Sequence, residues 1–384
     1  MNTRPIRILA LASLSVLLLF FLLVRSFVPG PAARGGAEQG DLRLVEDIIQ
    51  LIREDYIDRV DPARAMEGAY RGLVQSLDML SSYLSREDLA KYRESTQTLP
   101  SPLRDAGIVL IKTPGGMPQV AGLEEGRPAS RSGLQLGDFI SAIDNRATFG
   151  LSLWEARLLL LSNEDRPAKL RVVRQASTVE ISVERSLPSA KAYQFSPEKG
   201  TAGVLAISRL SLSGQDSLKG MIPASLAQAS APLVLDLRGC GQGDLEAARR
   251  LVNLFLRLPQ SGSFLMKDGS REPFSCPDPA IWDKVPLVVW TNQATLGPAE
   301  IVAGVLQSAK RAKVVGYPTL GLASKQKAFP LSDGSALLLT TGVFCYASGE
   351  KLWEKGVIPD AALSGEEAGR SQFLQKTLSL TSLR

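Results

Sequence analysis

The C-terminal half of the sequence alternates between apolar runs typical of buried strands and segments with helical periodicity. Apolar runs at 233–237 and 287–290 are each followed by a helical pattern, at 244–256 and 298–310, and a third apolar run covers 312–315. Strands that alternate with helices pair in parallel through right-handed crossovers. Continuous apolar strands are buried on both faces of a sheet. The pattern therefore predicts an α/β core.

The region before this core changes character twice. Residues 41–100 have helical periodicity, with a second helix from Pro62 and a third after Ser85, and predict a small bundle for docking or dimerisation. Residues 101–187 have short apolar runs broken by glycines, two of which flank the turn 114–116 and predict a β-hairpin. The other predicted elements of this module are a helix at 152–161 and strands at 168–173 and 178–184.

The N-terminus predicts export and membrane attachment. Arg4 and Arg7 precede an apolar stretch at 8–24, which is the polarity of a signal peptide or of an uncleaved signal anchor. We interpret residues 1–28 as that segment, with a retained anchor favoured, and residues 29–40 as a tether without stable structure. The expected location is the inner (cytoplasmic) membrane, single-pass, with the bulk of the chain periplasmic.

The composition excludes several classes of chemistry, because the sequence contains no histidine. Ser-His-Asp and Cys-His nucleophile activation and His-based zinc sites are ruled out, so any acid–base catalyst is Lys, Glu, Asp, Tyr or Cys. Cys240, Cys276 and Cys345 are too dispersed for a disulfide framework and are expected to be buried apolar side chains, with one pair as the alternative. The net charge of +5 comes from scattered basic residues, so a nucleic-acid partner is not expected. Neither is a metal or a cofactor.

Short motifs in three regions of the chain carry a family resemblance. The helical region contains Tyr-Ile-Asp-Arg-Val-Asp at 56–61 and Ser-Ser-Tyr-Leu at 81–84, and the glycine-rich module contains Gly-Leu-Gln-Leu-Gly-Asp at 133–138. The core motifs are Leu-Asp-Leu-Arg-Gly at 235–239, Ala-Glu-Ile-Val-Ala-Gly at 299–304, Leu-Ser-Asp-Gly-Ser-Ala at 331–336 and Lys-Gly-Val-Ile-Pro-Asp at 355–360. Together they resemble the carboxyl-terminal processing (tail-specific) serine proteases.

The resemblance implies a multidomain α+β fold. After the predicted N-terminal membrane helix, it assigns a helical lead-in over 41–100, a PDZ-like β-rich domain over 101–187 and an α/β, ClpP/crotonase-like protease core over 188–384. In this family a serine attacks the peptide carbonyl and a lysine accepts its proton, so the absence of histidine is consistent with the resemblance.

The resemblance also places the catalytic positions, and both are degenerate. Gly297 stands at the position of the serine and Leu322 at the position of the lysine. Gln326 matches the supporting glutamine but has nothing left to orient. In the loop whose amides hold the oxyanion, Gly243 is retained while Gln242 replaces the preceding glycine. These departures predict a non-catalytic pseudoprotease.

The alternative is an active serine-type endopeptidase with a relocated pair. Its nucleophile would be Thr295 or Ser324 and its base Lys325. Ser324 and Lys325 are adjacent, and neighbours on an extended chain point to opposite faces. Thr295 would require a rebuilt turn. A third hypothesis is a purely structural envelope scaffold.

The PDZ-like module predicts a peptide-binding function. Such modules add a peptide C-terminus to a sheet edge, with loop amides holding its carboxylate. The matching residues are Gly107, Ile108 and Val109, although the neighbouring Asp105 is unfavourable for an incoming carboxylate. The alternative is a structural spacer. The expected partners are protein or peptide C-termini, a second copy of the chain or an active protease relative, and the membrane through the N-terminal helix.

Overall fold

The computed structural model describes most of the chain after the N-terminus. The described residues are 35–97, 102–113, 115–188, 191–198, 201–222, 231–364 and 369–381. The predicted signal segment at 1–28 lies outside them. Within these ranges no helix is both long enough and apolar enough to cross a membrane. The chain divides into two compact units, Met1–Glu67 and Gly68–Arg384, and the predicted domain boundaries at 100 and 187 stay predictions.

The secondary structure of the described residues comprises the following elements in chain order. The helices are α1 Gly35–Asp55, α2 Pro62–Gln75, α3 Arg86–Gln97, α4 Leu153–Leu160, α5 Leu218–Met221, α6 Leu245–Phe255, α7 Pro298–Ser308 and α8 Arg370–Thr381. The strands are β1 Ser82–Leu84, β2 Ile108–Ile111, β3 Gln119–Leu123, β4 Phe139–Ile143, β5 Arg146–Ala147, β6 Ala168–Arg174, β7 Ser177–Val183, β8 Tyr193–Glu198, β9 Ala202–Ile207, β10 Leu233–Asp236, β11 Leu258–Met266, β12 Arg271–Cys276, β13 Leu287–Thr291, β14 Lys313–Gly316, β15 Ser324–Pro330, β16 Ala336–Tyr346 and β17 Ala361–Ala362.

The first unit shows that the predicted tether is too long. Helix α1 already begins at Gly35, so residues 35–40 belong to a helix and not to an unstructured segment. Ala37, Glu38 and Gln39 are strong helix formers, and they extend the helix although glycines precede them. Beyond them, α1 carries a stripe of exposed apolar side chains at helical spacing, which we call the α1 stripe: Leu44, Val45, Ile48, Leu51 and Ile52.

The predicted helix starts in the lead-in agree with the structure. Helix α2 has a proline at its first position, where a missing N–H costs nothing. At the start of α3, the Ser85 hydroxyl accepts a hydrogen bond from the Asp88 N–H at 3.2 Å and donates to the Asp88 carboxylate at 2.7 Å. Helix α3 therefore begins where the sequence indicates, directly after Ser85.

The module that follows is a six-stranded antiparallel sheet with one α-helix, α4. Its strand order is β2-β3-β4-β6-β7, with β5 paired to β4, so β2 is an edge strand. Ile108 pairs with Leu123 and Ile111 with Gln119, which confirms the predicted hairpin. Ser152 caps α4 and forms a capping box with Glu155.

The core contains the predicted parallel sheet. Its strand order is β17-β14-β13-β10-β9-β8, and every pair from β9 to β17 is parallel, whereas β8 pairs antiparallel to β9. All residues of β10 and β13 are buried, as expected for strands covered on both faces. Helices α6 and α7 follow β10 and β13 as the alternating pattern predicts.

A second core sheet was not predicted from the sequence. It is antiparallel, with the order β1-β16-β11-β12 and β15 paired to β16. Strand β1 comes from the helical lead-in and pairs Tyr83 with Leu337 of β16. A three-residue strand between two helices has no periodic signal of its own, because its partner lies far away in the sequence.

Candidate active site

The position of the missing serine begins helix α7. Gly297 is the N-cap residue of α7, with φ 57° and ψ −115°, a conformation that side-chain-bearing residues rarely adopt. A Cβ atom placed on Gly297 would have the carbonyl oxygen of Leu322 as its nearest neighbour, at 3.8 Å. The structure therefore brings the two degenerate positions side by side and leaves room for a side chain at the first.

A buried carboxylate holds these two positions together. Glu300 accepts hydrogen bonds from the backbone N–H groups of Gly297 at 2.8 Å, Gly321 at 2.5 Å and Leu322 at 2.7 Å. Burial raises the pKa of Glu300, and hydrogen bonds from the Thr319 side chain and from the amide donors oppose that shift. This role was not predicted from the sequence. The signal was present, since Glu300 stands three positions after the N-cap, where a carboxylate reaches back to the N-cap amide.

Leu322 is part of an apolar cluster rather than an exposed loop. It is 7% exposed and belongs to the same cluster as Leu296, Ala294 and Val109. The contact with the β2–β3 hairpin is close, because a Cβ on Gly122 would lie 2.5 Å from the Cβ of Ala294. The side chains around the degenerate site are thus packed against the antiparallel module.

The loop after β10 keeps a glycine for a packing reason. A Cβ on Gly243 would lie 2.5 Å from the Cβ of Leu210, so a larger residue does not fit there. The neighbouring Gln242 carbonyl accepts a hydrogen bond from the Leu210 N–H at 3.2 Å. The retained Gly243 therefore does not require an oxyanion-binding role to explain it.

The cysteines are packed side chains, as predicted. Cys240, Cys276 and Cys345 are all free and buried. Burial raises the pKa of the Cys240 thiol to about 12. The thiolate is the nucleophilic form, and burial disfavours it at Cys240.

Two residues of the hypothetical relocated pair are engaged elsewhere. Thr295 is buried, and its hydroxyl donates to the Leu237 carbonyl at 2.9 Å. Lys325 lies on strand β15, where it forms an ion pair with Glu272 and covers the ring of Phe264 at 4.9 Å. None of these contacts couples a hydroxyl to an amine.

Ser324, the other nucleophile of that hypothesis, makes a long contact with a carbonyl group. Its hydroxyl lies 3.4 Å from the Leu322 carbonyl oxygen. A carbonyl is not a general base, so this contact does not activate the hydroxyl.

The retained glutamine has a structural role. The Gln326 side-chain amide donates to the Leu80 carbonyl at 2.8 Å and accepts from the Trp154 indole N–H at 3.0 Å. Position 322 offers it no lysine to orient, and the side chain bonds these two groups instead. Both of its polar atoms are used to tie the lead-in and helix α4 to strand β15.

The predicted peptide-binding residues lie at the start of the edge strand β2. Gly107 has φ 75°, and its N–H donates to the Asp105 carboxylate at 2.7 Å. Ile108 is half-buried and Val109 is buried. At the other end of β2, the Arg157 guanidinium donates to the Leu110 carbonyl at 3.1 Å. Several groups of this edge are thus already bonded within the chain.

The region that contains Gly297 and Leu322 is similar to a known peptidase family. Residues 201–363 match the model of peptidase family S41. This similarity extends to the fold, because the chain has a mixed α+β, S41 protease-like architecture.

Curated relatives agree with this assignment. The chain is 27% identical over 350 residues to the carboxy-terminal-processing protease of Bartonella bacilliformis, covering 88% of this chain and 78% of that protein. It is 26% identical over 314 residues to the carboxy-terminal processing protease CtpA of Bacillus subtilis, covering 80% of this chain and 66% of that protein. The chain thus spans slightly less than two thirds of the second relative.

Solved structures show the same fold. The photosystem II D1 C-terminal processing protease superposes with a TM-score of 0.69 at 22% identity, over 88% of this chain and 90% of that one. A putative S41 protease from Bacteroides fragilis gives a TM-score of 0.51 at 17% identity, over 88% and 97% of the two chains.

Proposed function

We propose that this chain is a non-catalytic S41 member that works by binding proteins and not by cleaving them. The observation that carries the proposal is the pair of apposed positions at Gly297 and Leu322, where neither residue has a nucleophile or a base. Covalent catalysis by this family requires both groups within hydrogen-bonding reach of each other.

The surroundings of the pair support a loss of catalysis rather than a relocated catalytic pair. Leu322 packs into an apolar cluster, where it contributes to burial of nonpolar surface. The Thr295 hydroxyl donates a hydrogen bond to a carbonyl, and Lys325 forms an ion pair with Glu272. The chain has apolar packing where an active peptidase would need a proton acceptor.

What remains is a protein-binding protein attached to a membrane. The curated relatives are named as carboxy-terminal processing proteases, and by that similarity the partners of this chain are protein segments.

The α1 stripe provides a surface for a second copy of the chain or for an active S41 relative. Residues 1–28 would anchor the protein in the inner membrane with its bulk in the periplasm, and the antiparallel module with its edge strand β2 would be the PDZ-like peptide-binding domain.

The test is turnover of an unstructured protein such as β-casein by the full-length chain in detergent. The natural chain should produce no more cleavage than buffer alone. A Gly297→Ser, Leu322→Lys double variant should gain activity if the two positions are assigned correctly, whereas Gly297→Ala, Leu322→Met should not. Cleavage by the natural chain that disappears in Lys325→Ala would refute the proposal and establish the relocated pair.

A mixing experiment separates a regulator from a scaffold. An active S41 relative would be assayed with and without a molar excess of the natural chain. A changed cleavage rate supports the regulatory role, and Ile48→Glu in the α1 stripe should remove the effect. Gln50→Glu adds the same charge at an exposed position on the opposite face of α1 and should leave the effect intact. An unchanged rate with the natural chain favours the structural scaffold.

A further inference from the structure

The edge strand β2 and the loop before it form the peptide site of the proposed function, on which this inference rests. In modules of this kind, a ligand strand adds to the open edge while loop N–H groups bind its terminal carboxylate. Strand β2 lies at one edge of its sheet, and Gly107 immediately precedes it. The loop that would hold the carboxylate is therefore the one that contains Asp105.

Asp105 supplies a carboxylate to this loop from within the chain. Its side chain accepts the N–H of Gly107 at 2.7 Å and forms an ion pair with Arg127. The Arg127 side chain passes close to the glycine, because a Cβ on Gly107 would lie 2.5 Å from the Cβ of Arg127. A backbone N–H beside a guanidinium is a pair of donors suited to a carboxylate.

Arg127 retains capacity for a further acceptor. Its side chain is 9% exposed, and the guanidinium donates to the carbonyl groups of Leu187 and Ser186 as well as to Asp105. Its buried Nε–H has no hydrogen-bond acceptor among the described residues, although a Glu124 oxygen lies 3.6 Å away. A buried donor without an acceptor is costly, and a ligand carboxylate that took the place of Asp105 would satisfy it.

We propose that Asp105 occupies, in cis, the position of a ligand's terminal carboxylate, so that the natural module takes internal extended segments and does not select free C-termini. A free C-terminus would have to displace Asp105 from Arg127 and Gly107, and two carboxylates cannot share these donors without repulsion. An internal segment has no terminal carboxylate and avoids this competition.

The test compares two pools of position-randomised peptides, identical except for a free or an amidated C-terminus, each immobilised by its N-terminus. The full-length natural chain should bind both pools equally. Asp105→Ala should prefer the free-acid pool by at least about tenfold, since charge-assisted hydrogen bonds to the peptide's terminal carboxylate are worth about 1.5–3 kcal/mol. Asp165→Ala is the control, because Asp165 also pairs with an arginine, Arg104, but its side chain is 73% exposed.

A second variant guards against a folding defect. Asp105→Asn keeps an acceptor for the Gly107 N–H but removes the negative charge that pairs with Arg127. This variant should show an intermediate preference for the free-acid pool at an unchanged melting temperature. The inference is overturned if the natural chain already prefers free acids tenfold, or if Asp105→Ala binds neither pool or both equally. Failure of the proposed function is detected separately, by cleavage of β-casein by the natural chain.

Discussion

Substitution of Glu300 by Gln tests whether one buried carboxylate holds the two degenerate positions together. One Glu300 oxygen accepts from Gly321, and the other accepts from Gly297 and Leu322. The less disruptive Gln orientation places its NH2 group against the Gly321 N–H, so that two donors face each other. That orientation keeps the other two hydrogen bonds.

The cost of this substitution follows from the number of bonds affected. A buried N–H left without an acceptor costs about 1–3 kcal/mol, and each retained bond weakens because its acceptor is no longer charged. We therefore expect Glu300→Gln to lower the free energy of unfolding by about 2–4 kcal/mol. This is a large share of the total for a folded protein, which is about 5–15 kcal/mol.

The assay is urea unfolding of the full-length chain, followed by the fluorescence of its tryptophans, together with hydrogen exchange at Gly321 and Leu322. Glu350→Gln is the matched control, since the Glu350 side chain is 58% exposed and pairs with Lys355 on the surface. Exposed pairs contribute about 0–1 kcal/mol. If Glu300→Gln costs no more than this control, and exchange at the two amides is unchanged, the reasoning is wrong.

Three further predictions concern a thiol, a carboxyl group and a glycine. Cys240 should resist iodoacetamide at pH 8 in the folded chain, as measured by mass spectrometry, because its pKa is raised to about 12. Burial raises the pKa of Glu124 from 4.5 to about 7. Ionisation of Glu124 therefore destabilises the folded state as the pH rises from about 4.5 to 7. Glu124→Gln should stabilise the chain at pH 8 but not at pH 4. Gly243→Ala should destabilise the chain by about 1–3 kcal/mol through its contact with Leu210, whereas Gly72→Ala, in open space on α2, should stabilise it by about 0.5–1 kcal/mol.

The outcome for each of these three is distinct. Rapid alkylation of the folded chain would contradict the burial argument, and a stabilisation by Glu124→Gln that is equal at both pH values would contradict the titration. Equal effects of the two glycine substitutions on the melting temperature would contradict the steric argument.

The parallel core and the lead-in helices could be predicted from the amino-acid sequence. Apolar runs such as 233–237 and 287–290 are long enough to specify buried strands, and the helices between them follow from periodicity. The start of a helix could be predicted where a nearby side chain accepts a hydrogen bond from one of the first backbone N–H groups, as at Ser85 and Ser152. These features are encoded in local sequence patterns, namely the length of an apolar run and the capping of a helix.

The residues at the catalytic positions could be named in the same way. Gly297 and Leu322 follow from the motifs, and their inability to act as nucleophile and base follows from their side chains. Sequence reasoning could not show their packing, because Leu322 belongs to a cluster with residues of the hairpin that lie far from it in the chain.

The use of the surrounding polar groups depends on the three-dimensional fold. Glu300 reaches across to the loop of Leu322, Gln326 bonds Leu80 and Trp154, and Asp105 occupies the donors at the start of β2. A side chain's hydrogen-bond partner depends on which segments the fold brings within about 3 Å. The sequence therefore specified which groups the chain lacks, and the fold specified what the remaining groups do.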